Sequence, residues 1–120
     1  MNETYSIESG NLVVRDPNTE AVVWSGTFDG CPLLKIVPLR VVDGCLILLD
    51  WSGSQQPTFE NLLLITGDGS VTWRVPLPDL NDTYVDVRLT DTGIAATTWT
   101  GFIVAIDPSN KTVRRVNFTK

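Results

Sequence analysis

The sequence predicts an all-β domain, an antiparallel meander of about 10–11 short strands. Three observations carry that expectation. The 3.6-residue apolar spacing of amphipathic helices is almost absent. The chain reads instead as short β-branched and apolar runs punctuated by Gly, Pro, Asp and Asn. The chain also repeats itself.

Taken in order, the first strands are Thr4–Glu8 and Asn11–Arg15, then Asp16-Pro17-Asn18 turns the chain into a strand at 21–24. A longer run at 34–41 reaches the Asp43-Gly44 turn and returns as Cys45–Leu49. The polar stretch 53–60 reads as an exposed loop. Leu62–Ile65 follows, then Gly67-Asp68-Gly69 and a strand at 71–75. The last four strands are 84–89, 94–98, 102–106 and 112–118. Asp91-Thr92-Gly93 and Asp107-Pro108-Ser109-Asn110 supply turn chemistry between them.

Residues 39–53 (LRVVDGCLILLDWSG) align with 87–101 (VRLTDTGIAATTWTG) at an offset of 48. Arg40/Arg88, Asp43/Asp91, Trp51/Trp99 and Gly53/Gly101 then coincide. A strand–turn–strand module recurs at 11–24, 61–73 and 102–115. Trp24 and Trp73 close two copies, and Arg114-Arg115 stands where the third would place Trp. Together these give a unit of two hairpins every 40–50 residues, the period and strand count of a propeller blade. One domain, 1–120, holds units at approximately 4–28, 33–77 and 84–118.

Residues 91–107 (DTGIAATTWTGFIVAID) and the hairpin Asp16 to Trp24 resemble the blade repeat of the quinoprotein-like (PQQ-type, WD40-like) β-propellers. The resemblance implies a partial or small propeller of fewer than three blades. Such a stack closes on itself, completes a ring with further copies, or covers its open face with a partner. It implies no cofactor, because a quinone seated over a central channel requires the channel.

The chain has 120 residues, 42% of them apolar, enough for one packed core. Its longest purely apolar runs span five residues, against the about 20 of a membrane helix. The polar, acidic start does not read as a secretion signal, so the expected address is the cytoplasm, with no membrane role. Net charge is −5, which opposes nucleic-acid binding. The charge is uneven: residues 107–120 carry +3, and the rest carries −8.

Histidine is missing, which removes the commonest general base and the usual triads. Cys31 and Cys45 lie among apolar residues and read as buried free thiols, without a zinc partner set. No serine sits in a nucleophile elbow. The chain is therefore expected not to be an enzyme and to hold no metal. Asp79, Asp82 and Asp86 read mainly as a solvated turn between units, with a partner-contact patch as the functional alternative. Asp91, Glu60 and the 52–60 loop extend that acidic surface. Trp24 and Trp73 are expected to pack between units. Trp51 and Trp99, at Trp-(Ser/Thr)-Gly turns, are the rings that could be exposed.

The functional expectation is a non-catalytic protein-binding module, with an immunity-type inhibitor of a basic toxin as the subclass its acidity suggests. The partner-binding candidates are Asp79, Asp82, Asp86, Asp91, Glu60, Trp51 and Trp99. The alternatives are a self-assembling homo-oligomer that completes a propeller, and a small-ligand or carbohydrate binder or carboxylate-based hydrolase.

Overall fold

The computed structural model describes residues 3–39, 44–52 and 58–116. Within them eleven strands form three antiparallel sheets and no helix. The first sheet holds β1 (Thr4–Glu8), β2 (Asn11–Arg15) and β3 (Val22–Gly26). The second runs β4 (Leu33–Pro38), β5 (Cys45–Leu49), β6 (Leu62–Ile65) and β7 (Val71–Arg74). The third runs β8 (Tyr84–Thr90), β9 (Gly93–Thr98), β10 (Ile103–Asp107) and β11 (Thr112–Arg115). Each repeat unit read from the sequence is one sheet, and each sheet is a plain meander of sequential neighbours.

The sheets stack face to face, and the middle one explains the most apolar stretches of the sequence. Leu46, Leu48, Leu62 and Leu64 point into one core, shared with Val87, Ile94, Ala96, Val104 and Ile106 of the third sheet. The alternating residues Cys45, Ile47, Leu49, Leu63 and Ile65 point into a second core, shared with Leu12, Val14, Tyr5 and Ile7 of the first. A strand with one wet face alternates apolar and polar residues; one buried on both faces cannot. CLILL and LLLI are buried throughout for that reason.

Matching backbone hydrogen bonds fix which residues are equivalent between units. Asp50 N–H donates to Pro32 O, as Trp99 N–H does to Thr83 O. Leu49 N–H donates to Asn61 O, as Thr98 N–H does to Phe102 O. The bulge between Leu33 and Lys35 recurs between Tyr84 and Asp86. β5 therefore maps to β9 at an offset of 49, not the 48 that aligned identical residues, while β4 maps to β8 at 51. The offset changes because the hairpin loop is longer before β5 than before β9. The first sheet matches β5–β6–β7. The bulge after Val14 and the Val14–Trp24 pairing repeat as the bulge after Leu64 and the Leu64–Trp73 pairing.

Trp24 and Trp73 each pack against the core in front of their own sheet, the between-unit position their recurrence implied. The Trp24 indole also closes over the Gly69 turn. A Cβ on Gly69 would run into the ring, and its φ of +85° is a conformation that side chains disfavour.

An isolated row of sheets leaves one face uncovered at each end, and apolar faces there would call for a cover. The end faces are instead mostly polar or small. In alternation with its core residues, the third sheet turns outward Asp86, Arg88, Ala95, Thr97, Ile103, Ala105 and Arg114. The first sheet turns outward Ser6, Glu8, Val13, Arg15, Ser25 and, paired with Arg15, the exposed Val22 beside Val23 on the edge strand; Arg15 is bonded to Glu8 across the surface. Terminal units of a stacked repeat carry such faces, because nothing covers them.

Candidate binding face

Alternating strand direction sorts the connections onto two ends of the stack. One end collects the Ser9-Gly10 turn, connections 27–32, 75–83 and 99–102, and residues 50–52 and 58–61; residues 53–57 of the expected exposed loop lie outside the described ones. Of the sequence candidates, Trp51, Glu60, Asp79, Asp82 and Trp99 meet there. Asp91 lies in the β8–β9 turn at the opposite end and takes no part.

The connection into the third sheet is pinned from three sides. The Tyr84 hydroxyl donates to Pro76 O at 2.5 Å, and burial pushes that phenol's pKa up. Thr58 Oγ1 accepts from Asn81 N–H at 2.7 Å, and Phe59 bridges Thr83 in parallel fashion. Asn61 is fully buried and staples the second sheet to the third. Its Nδ2 donates to Leu49 O at 2.9 Å and Tyr84 O at 2.8 Å, and its Oδ1 accepts from Tyr84 N–H at 2.8 Å.

Asp79, Asp82 and Asp86 do not form one solvated cluster. Asp79 is exposed. Asp82 is only 3% exposed. Its carboxylate accepts from Thr83 N–H at 2.9 Å, Thr100 N–H at 3.2 Å and the Thr100 hydroxyl at 2.6 Å. Burial works to raise its pKa. Hydrogen bonds from Thr100, Thr83 and Thr98 together outweigh burial and hold the group below the ordinary carboxylate range. Asp86 faces Lys35 at 3.1 Å and Arg88 at 3.4 Å, so its charge is met within the chain. These pairs are about two-fifths exposed and contribute little to stability.

The two tryptophans expected to be equivalent are not. By the observed offset Trp99 matches Asp50, and Trp51 matches Thr100. A one-residue slip in a strand turns a side chain to the other face. Trp51 consequently packs against the core between the first and second sheets. Trp99 stands 69% exposed, and Leu80 nearby is 75% exposed. Asp82 links their two loops, since it follows Leu80 by two residues and holds Thr100, the residue after Trp99.

Beside this pair lies an open cleft of about 540 Å³, lined by Asp29, Thr58, Phe59, Glu60 and Arg74. Arg74 is locked by a two-pronged pair with Asp29, both contacts at 2.8 Å. That guanidinium holds the Asp29 carboxyl below its usual range. Cys31 and Cys45 are free thiols, and burial pushes Cys45 up to about 12, which leaves it unreactive. No group of three metal-ligating side chains occurs among the described residues.

Leu80, Asp29, Arg74 and Asn61 were not picked out from the sequence. Leu80 had a readable signal, a large apolar residue set among the turn residues of PDLND. Asp29 and Arg74 are 45 residues apart, and nothing local joins them.

The fold is an all-β repeat of three stacked meanders, with one loop end that exposes Trp99 and Leu80 and also carries Asp50, Glu60 and Asp79. The chain belongs to the family described as Domain of unknown function (DUF7957), whose model matches residues 35–118, from within β4 to just beyond β11. No curated protein and no solved structure matches the sequence.

Proposed function

We propose that the chain is a non-catalytic protein-binding module on a propeller-like scaffold, and that its loop end is the contact surface. The observation that carries this reading is the exposure of Trp99 and Leu80 on connections fixed by the hydrogen bonds of the buried Asp82. A rigid aromatic ring that loses little freedom on contact is the usual anchor of an interface. The meanders stack with equivalent faces forward, as blades do, which supports the quinoprotein-like comparison. Asp50, Glu60 and Asp79 lie on the same loop end as the apolar pair, and the basic Arg74 there is paired with Asp29. That balance favours a basic partner, and an immunity-type inhibitor of a basic toxin is the class it fits. The polar end faces weigh against completing a ring with further copies.

A photo-crosslinking residue placed at position 99, and for comparison at 114 on the end face, tests this in cells of the source organism. A discrete protein adduct is expected at 99 and not at 114. In pull-downs of that protein by the chain without a crosslinker, Trp99→Ala with Leu80→Ser should reduce capture at least tenfold, because a central aromatic anchor is worth about 2 kcal/mol or more. The thermal midpoint should stay within about a degree or two, since neither side chain is packed. Equal adducts at both positions, or capture unaffected by the double variant, would remove the assignment.

A further inference from the structure

We infer that the cleft beside Glu60 receives a lysine or arginine side chain of the partner; this rests on the binding-face reading above. The cleft is contiguous with that face. Its Thr58 Oγ1 accepts from Asn81 N–H, next to Leu80, and its Phe59 is bridged to Thr83, whose carbonyl accepts from Trp99 N–H. A partner resting on Trp99 and Leu80 is therefore within a side chain's reach of the cleft.

The charge arrangement selects what enters. Arg74 is the one cation lining the cleft among the described residues, and its guanidinium is spent. Nη1 and Nη2 each donate to an Asp29 oxygen at 2.8 Å, and Nη1 lies 3.5 Å from the Glu60 carbonyl oxygen rather than its carboxylate. Asp29 thus holds both prongs of Arg74, which feels the Glu60 carboxylate only through Coulombic attraction and forms no ion pair with it. The lining side chains then sum to one net negative charge, and the Glu60 carboxylate, within Coulombic reach of Arg74, makes no ion pair of its own among the described residues in the open cleft. A cationic side chain on an apolar stem matches both the charge and the space. The Phe59 backbone, bonded to Asp82 O and Thr83 Oγ1, keeps the floor in place.

The test is an NMR titration of the ¹⁵N-labelled full chain with N-acetyl-arginine amide, with N-acetyl-norleucine amide as the uncharged control. The expected result is saturable shifts confined to the amides of Asp29, Thr58, Phe59, Glu60 and Arg74. They should weaken with added salt and be missing for the control probe. Glu60→Gln should weaken binding at least tenfold. Asp29→Asn should weaken it as well, although Glu60 is intact, because the released Arg74 can then turn to Glu60. Shifts shared equally with the norleucine probe, shifts spread over all exposed carboxylates, or binding unchanged in E60Q would overturn the inference. A failed titration with crosslinking at position 99 intact removes the cleft's role and leaves the binding face standing. Loss of the crosslink removes the reading on which the cleft's role depends.

Discussion

Replacing Asn61 with alanine is expected to lower the unfolding free energy by about 3–5 kcal/mol, a large part of the about 5–15 kcal/mol of a typical domain. The reason is where its three hydrogen bonds go. Two carbonyls, Leu49 O and Tyr84 O, and the Tyr84 N–H lose a partner in a place that admits no water. Asn61→Asp should be worse near neutral pH, because it turns a carboxylate toward those carbonyl oxygens while keeping only the acceptor for Tyr84 N–H. Acidification should partly rescue the aspartate variant and not the alanine one, since a protonated acid can donate to one carbonyl. Urea unfolding followed by tryptophan fluorescence reads both midpoints. A loss under about 1 kcal/mol for N61A would mean that the second and third sheets are held by apolar packing alone.

That staple marks the boundary of what was legible in the sequence. β1, β2, β5 and β6 were placed to the residue, and the other strands began or ended within a few positions of the expectation. The 34–41 and 112–118 runs extend into residues that lie outside the described ones. Strands show because period, β-branching and turn residues are local properties. The unbroken apolar runs at β5 and β6 even carried the middle sheet's burial on two faces. Asn61 did not show, because its role depends on three groups brought together by the stack. Its counterpart by module alignment, Asn11, is exposed. The repeat was visible, but the offset was anchored on identical side chains. Backbone bonds show that the units slide relative to one another as loop lengths change. That one-residue difference separated Trp51, which packs, from Trp99, which projects.

Asp82 is where sequence reading and structure part most consequentially, and its removal should carry the second large effect. Asp82→Ala is expected to cost about 2–3 kcal/mol, since Thr98, Thr83 and Thr100 donors lose a buried acceptor, while the exposed Thr100 can turn to water. Asp82→Asn should cost about half as much, because its amide oxygen still accepts the two backbone N–H bonds. The pH dependence separates charge from shape. The folded-state pKa of Asp82 lies below its unfolded value of about 4. Its contribution is therefore complete above that unfolded value and is lost as pH falls through the depressed folded one. Wild type should lose this stability below about pH 4, and the difference between wild type and D82N should shrink over the same window. Because Asp82 joins the loop of Leu80 to the turn of Trp99, both variants should also weaken crosslinking from position 99, D82A the more. An asparagine variant that matches wild type in stability at pH 7 and in crosslinking would show that the loop end is shaped without this carboxylate. The binding face would then depend on the Thr58–Asn81 and Tyr84–Pro76 contacts instead.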